Sequence, residues 1–266
     1  MINPVEYPML LFVLSLVALL LSVWIGGKYG KRRGLDKDAR EDFGIILASA
    51  LTILGLLIGF CFSMAVTRYD QRKNYEEAEA NAIGTEYLRA DLLPASDGEK
   101  VRALLQAYLG QRVLAYTASG KEEIRQINVR TAQLQANMWS AVMRPAGSLQ
   151  TPTIALAVSG MNDVLNSEGY TQAAWWNRIP IQAWLLMGAI AVCCNAMIGF
   201  GARNYRTERL LFMIVPVVVS ISFFLIADVD SPRTGIIRIE PHNLKRLAES
   251  LRTAELENHA PALRSQ

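Results

Sequence analysis

The stretch FGIILASALTILGLLIGFCFSMAV, from Phe43 to Val66, contains no charged side chain. A helix needs roughly 20 mostly apolar residues to cross the hydrocarbon of a bilayer, and this stretch meets that requirement. Three other stretches also meet it: Met9 to Ile25, Ile181 to Ala202 and Leu210 to Ala227. The sequence therefore predicts an all-α, polytopic protein with four transmembrane helices, a multi-pass protein of the inner membrane of the cell.

The composition supports a membrane protein and argues against several other classes. Apolar residues make up 52% of the 266 residues and cluster in the four stretches, which favours a bilayer over one soluble core. The formal net charge is only +3, and no basic stripe interleaved with aromatic residues indicates nucleic acid. The cysteines lie in apolar stretches and both histidines lie in the tail, so no metal or cofactor is expected. No phosphate loop or nucleophile elbow is present either, so we do not expect an enzyme.

A charged segment rich in Ala and Gln separates the second and third apolar stretches. Its periodicity is helical, and residues 68–93 continue the second stretch without a strong breaker before Pro94. One helix of about 50 residues, about 75 Å long, is therefore expected to run from the membrane into water. The predicted organisation is residues 1–66 for the first two transmembrane helices, 67–180 for a helical soluble insert that continues the second, 181–227 for the third and fourth, and 228–266 for a tail with a short amphipathic helix and a disordered end.

The second transmembrane helix carries two patterns at helical spacing. Gly55, Gly59 and Ser63 form a ridge of small residues, which is typical of a helix that another helix approaches closely. Beside the ridge runs a polar stripe with an apolar interruption, and we select as pore and neck candidates Thr52, Leu56, Phe60, Ser63 and Thr67. The stripe suits a helix that lines a wet path with a dewetting constriction. The alternative is that the stripe packs on other transmembrane helices and then on the insert.

Three polar residues lie in the third transmembrane helix or directly after the fourth. Asn195 is an isolated amide in the third transmembrane helix, and such groups usually hydrogen-bond to a partner helix, so we assign it to helix packing. Asp228 and Asp230 follow the fourth transmembrane helix and are candidate cation ligands. Equally, the segment from Asp228 to Pro232 has the composition of a capping turn.

Acidic residues cluster where the second transmembrane helix continues into the insert. They are Glu76, Glu77, Glu79 and Glu86. On a helix these residues spread over more than one face, and basic residues lie close by in sequence. We therefore expect a solvated or salt-bridged surface rather than a metal or acid-base site.

Three stretches resemble a family of bacterial bestrophin-like membrane proteins. They are EANAIGTEYLRADLLP from Glu79 to Pro94, IPIQAW before the third transmembrane helix, and LIADVDSPRTGIIRIEPHNL after the fourth. Together with the four-helix layout, these motifs cover most of the chain. The resemblance implies the same all-α membrane fold.

The segment GFCFSMAVTRYDQ, from Gly59 to Gln71, also resembles the end of the pore-lining helix of bestrophins. Bestrophins are pentameric anion channels with an apolar neck on the second transmembrane helix of each subunit. In this likeness Phe60 matches a neck aromatic, Leu56 is apolar where an aromatic is usual, and Thr52 departs from the pattern. Only Asp228 and Asp230 stand where bestrophins have an acidic calcium clasp.

These observations favour a homo-oligomeric ion channel whose second transmembrane helix surrounds the axis. The resemblance implies a pentamer, with the lipid bilayer, other copies of the chain and inorganic ions as partners, and without nucleic acid. The alternative is a non-conducting membrane scaffold or sensor whose helical insert binds a partner protein.

Overall fold

The computed structural model describes residues 7–31, 37–118, 120–148, 151–202 and 210–264. Helices dominate, and the described residues contain no β-strand, which confirms the all-α fold. The helices are α1 (Pro8–Gly30), α2 (Lys37–Arg89), α3 (Ala95–Thr117), α4 (Lys121–Ser148), α5 (Pro152–Trp176), α6 (Ile181–Gly201), α7 (Leu211–Asp230) and α8 (His242–Arg264). A short 3-10 turn, Ala90–Leu92, follows α2.

Four helical segments are long and apolar enough to cross a membrane, which confirms the polytopic layout. They lie within Pro8–Gly30, Ala39–Leu92, Pro152–Gly201 and Phe212–Asp230. The predicted long helix is α2, which is continuous over 53 residues from the second apolar stretch into the insert. At the chain end a short amphipathic helix and a disordered end were predicted, and the structure has α8 over His242–Arg264.

The chain divides into two compact units. The first comprises Met1–Tyr69 and Asn177–Arg238. Its core is an apolar cluster from α1, α2, α6 and α7 that includes Leu19, Leu54, Met187, Phe223 and Ile226. Trp184 and Phe223 pack edge to face with ring centroids 6.1 Å apart. This unit holds the apolar stretch of every predicted transmembrane helix.

The second unit comprises Asp70–Trp176 and Ile239–Gln266. Its core contains side chains with an exposed fraction of zero, among them Val101, Leu105 and Tyr108 of α3. The tail helix α8 is held at its first turn, where the Glu76 carboxylate accepts hydrogen bonds from the backbone N–H of Leu244 at 2.9 Å and from Asn243 Nδ2 at 2.7 Å. A carboxylate at this position satisfies free N–H groups and favours the helix dipole.

Candidate functional site

The predicted pore stripe is an uncovered face of α2. Phe60 is 65% exposed and Leu56 is 55% exposed in the single chain. Thr52, Ser63 and Thr67 are also exposed. On another face of the same helix, the side chains that are buried against the other membrane helices are Leu54, Cys61 and Ala65. The stripe is therefore not covered by the described part of its own chain.

The hydroxyl groups on the stripe are already satisfied as donors. Thr52 Oγ1 donates to the carbonyl of Ala48 at 2.9 Å, and Thr67 Oγ1 donates to the carbonyl of Ser63 at 2.9 Å. These bonds lie within α2, so neither donor needs a partner from another helix. The oxygen lone pairs remain free to face whatever covers the stripe.

The glycines of the predicted small-residue ridge have no neighbour among the described residues outside α2. A Cβ atom built on Gly55 or Gly59 would meet nothing within 4 Å. The close helix contact lies elsewhere, because a Cβ on Gly26 of α1 would overlap the backbone of Ala196, and a Cβ on Gly199 of α6 would overlap the backbone of Val23. A partner for the Gly55 and Gly59 ridge would have to come from outside the described chain.

Asn195 lies in the core of the first unit with an exposed fraction of zero. Its Nδ2 donates to the carbonyl of Ala191 at 2.8 Å, within α6. Its side-chain oxygen has no hydrogen-bond partner among the described residues. The predicted bond from Asn195 to another helix is therefore not formed within the part of the chain that the structure describes.

Asp228 and Asp230 organise the turn after α7. The Asp228 carboxylate accepts backbone N–H bonds from Ile236 at 2.6 Å and Ile237 at 2.9 Å. Asp230 Oδ2 accepts the backbone N–H of Ile179 at 3.0 Å, and its Oδ1 lies 3.8 Å from Arg68 Nη1. The two carboxylates are therefore bound to the backbone N–H groups of Ile179, Ile236 and Ile237. A cation at the two carboxylates would have to compete with these donors and with the guanidinium.

No metal site emerges from the geometry of the described residues. No group of three or more His, Cys, Asp or Glu side chains among them is arranged to hold a metal ion.

A buried ionic network in the second unit was missed by the sequence interpretation. Glu79 is fully buried and Arg112 is 2% exposed. Arg112 donates to both carboxylate oxygens of Glu79, from Nε to Oε1 and from Nη2 to Oε2, the second at 3.4 Å. Thr171 donates to Glu79 at 3.2 Å, and Glu168 lies 3.5 Å from Arg112 Nη1. Arg112 lies on the same buried face of α3 as Leu105 and Tyr108, and this helical spacing was the signal in the sequence that Arg112 is buried.

In this network, the opposite charges of Glu79 and Arg112 counteract the effect of burial on the pKa of each group. Burial raises the pKa of the Glu79 carboxyl, and the guanidinium of Arg112 offsets part of that rise. Burial disfavours the charged guanidinium, but the Glu79 carboxylate outweighs burial and raises the pKa of Arg112. Arg112 is therefore a positively charged anchor on α3 that holds the Glu79 carboxylate of α2.

The acidic cluster is largely buried, whereas a solvated or salt-bridged surface was predicted; the ion pair of Glu79 with Arg112 agrees with the salt-bridged form of that prediction. Glu76, Glu79 and Glu86 have exposed fractions of 3%, 0% and 0%, whereas Glu77 is exposed. The three buried residues share a spacing of three and four residues with Ile83 and Ala90, which are also buried. The helix face that contacts the insert therefore carries carboxylates as well as apolar side chains.

Solved structures of low sequence identity share this fold. A bacterial bestrophin homolog from Klebsiella pneumoniae is 15% identical, with a TM-score of 0.60, over 91% of this chain and 96% of that chain. A variant of that homolog is 16% identical, with a TM-score of 0.58, over 91% and 96% of the two chains. A structure described as a membrane protein is 15% identical, with a TM-score of 0.61, over 90% and 97%.

Comparison of the sequence with family models identifies the family of this chain. No curated protein matches the sequence. The family model of the Bestrophin-like domain matches residues 12–244, which is most of the chain and includes all four predicted transmembrane helices apart from the first residues of α1. Together with the all-α membrane fold, this match shows that the chain belongs to the Bestrophin-like family.

Proposed function

We propose that the chain is the subunit of a bestrophin-like homo-oligomeric ion channel, and that α2 lines the pore. The observation that supports this proposal most strongly is the pattern on one exposed face of α2, where the apolar side chains of Leu56 and Phe60 lie between exposed hydroxyl-bearing residues. Membership of the Bestrophin-like family and the similarity to bacterial bestrophin homologs give independent support.

The chemistry of the stripe suits a gated path for ions. Around an axis, residues four apart on one face of a helix stack as rings, so copies of Leu56 and Phe60 would form two apolar rings. Hydroxyl groups of Thr52 lie on one side of these rings and those of Ser63 and Thr67 on the other. Ions lose their hydration water readily only where polar groups replace it, so the apolar rings form a neck that stays dry until it widens.

This proposal requires a closed ring of subunits, because the single α2 helix of one subunit cannot enclose a pore by itself. Closed rings arise from cyclic symmetry, and the resemblance to bestrophins implies five subunits. Among the described residues, nothing outside α2 lies against Gly55 and Gly59, and contact with the next subunit would supply a neighbour. Lipid would contact the outward faces of α1 and α7.

The test begins with mass measurement of the full chain in detergent, followed by ion flux from proteoliposomes. We expect a closed homo-oligomer, five subunits by resemblance, and a flux above that of empty liposomes. A monodisperse monomer or dimer would refute the channel. A correctly assembled ring without flux under varied voltage, pH and calcium would instead favour the non-conducting scaffold or sensor.

A further inference from the structure

Glu86 is a buried carboxyl that the proposed pore does not use. It lies on α2 beyond the apolar stretch, in the second unit, and its exposed fraction is zero. Neither Oε1 nor Oε2 has a hydrogen-bond partner among the described residues. Buried polar groups nearly always have partners, so an unpartnered carboxyl at this depth calls for an explanation.

The carboxyl of Glu86 is pressed against the backbone of α5. The contact point is Gly160, a buried glycine in the middle of α5. A Cβ atom at Gly160 would overlap Glu86 Oε2 and Arg89 Nη1 and would lie 3.0 Å from the Arg89 Cδ. The absence of a side chain at Gly160 is therefore what gives the Glu86 carboxyl its space.

The charged groups around Glu86 only partly balance one another. Arg89 on α2 favours a charged carboxylate, and Asp163 on α5 opposes it. On the α3 side, Arg102 pairs with Asp91 and lies over the Tyr87 ring at 5.8 Å, so its charge is engaged there. Burial is the largest influence, and with Asp163 it outweighs Arg89 and raises the pKa of Glu86 to about 8.

We propose that Glu86 is a proton-binding site of the insert, and that loss of its proton loosens the contact between α2 and α5 at Gly160. A neutral carboxylic acid is far less costly to bury than a carboxylate without donors. Deprotonation therefore favours a conformation in which water reaches the carboxylate, and separation of α5 from α2 at Gly160 would give water that access. The proposal holds whether or not the chain conducts ions.

The direction of the pH effect follows from the raised pKa. The carboxyl has a pKa of about 8 in the folded chain against a reference of 4.5. The stabilising effect of the proton is therefore fully present below pH 4.5 and is lost as the pH rises through about 8. Within this window the folded state retains up to one proton more than the unfolded state, so the unfolding constant rises by up to about tenfold per pH unit.

The experiment follows thermal unfolding of the full-length protein in detergent from pH 5 to pH 9. We expect the midpoint temperature of the wild type to fall as the pH rises. Glu86→Gln, which keeps a neutral side chain of the same shape, should remove most of this fall. Glu77→Gln is the matched control, because Glu77 is an exposed glutamate on the same helix, and it should keep the wild-type profile. A Glu86→Gln profile that falls as steeply as the wild type would overturn the proposal.

Two further readouts report on the site itself. Hydrogen exchange of the α5 backbone around Gly160, corrected for intrinsic rates, should accelerate in the wild type between pH 6 and pH 9 more than in Glu86→Gln. If Glu86→Gln does not fold, infrared difference spectra of the wild type still decide the matter. The band of a protonated carboxylic acid should disappear with a midpoint near pH 8, and a titration complete below pH 6 would overturn the proposal.

Discussion

Removal of Arg112 gives the sharpest stability prediction for the insert. Glu79 is fully buried, and Arg112 donates to both of its oxygens. After Arg112→Met the carboxylate would keep only the Thr171 hydroxyl, at 3.2 Å, as a side-chain donor. Methionine fills a similar volume, so the main effect is an uncompensated buried charge. Breaking a buried pair in this way costs about 3–5 kcal/mol of unfolding free energy.

The assay is denaturant or thermal unfolding of the full chain in detergent, combined with a double-mutant cycle. We expect Arg112→Met combined with Glu79→Gln to be more stable than Arg112→Met alone, because the second change removes the unpaired charge. Arg125→Met is the matched control, since Arg125 also pairs with a glutamate, Glu122, at 2.7 Å, but both residues are exposed. The control should change stability little. The reasoning fails if Arg112→Met behaves like the control, or if the two substitutions of the cycle are strictly additive.

The remaining predictions concern glycines. Gly199→Ala should separate α1 from α6 and reduce stability by about 1–3 kcal/mol, because overpacked sites show losses of that size. A Cβ there would lie 2.8 Å from the carbonyl carbon of Val23, whereas Gly188 on the same helix has nothing within 4 Å. Gly188→Ala is therefore the control, and equal thermal midpoints for the two variants would contradict the prediction. Gly55→Leu should leave the fold of the subunit intact, since nothing in the chain lies near it, but should reduce the mass of the detergent-solubilised assembly. An unchanged assembly would show that Gly55 faces lipid.

The membrane helices could be predicted from the sequence because their signal is local. The stretch from Phe43 to Val66 needs only length and the absence of charge to be recognised. The continuation of α2 to Arg89 likewise follows from helix-forming residues without a strong breaker. The exposed stripe was visible as a pattern, but only the structure shows that no other part of the described chain covers Phe60.

The buried charges could not be predicted because their partners are distant in sequence. Glu79 was interpreted as part of a solvated surface with basic residues close by, but its partner Arg112 lies 33 residues away on α3. Glu86 gave no sign of burial by residue type, since glutamate is rarely buried. The spacing of both residues with Ile83 was the signal available, and it is weak when acidic residues also point outward, as Glu77 does.

The roles of the aspartates after α7 and of the helix glycines depend on which residues of the fold contact them. An aspartate pair after a helix suits a cation or a turn, and the sequence did not reveal that Asp228 accepts the backbone N–H groups of Ile236 and Ile237. Glycines at helical spacing indicate close packing but do not name the partner. The close contacts lie between α1 and α6, where Gly26 approaches the backbone of Ala196 and Gly199 approaches that of Val23, whereas no described atom lies near a Cβ built on Gly55 of α2.

The central claim is that α2 lines an ion path with its neck at Phe60. The most direct test is single-channel recording of the purified protein in planar bilayers, with Phe60→Ala compared with Phe62→Ala. Phe62 lies two residues further along α2, about 200° around the helix, and is also exposed, at 43%. Phe60 has little packing to lose within its own subunit, so a change in current would not reflect misfolding. We predict that Phe60→Ala raises the conductance or the open probability and that Phe62→Ala does neither. The same current in both variants and the wild type, from assemblies of verified mass, would contradict the account.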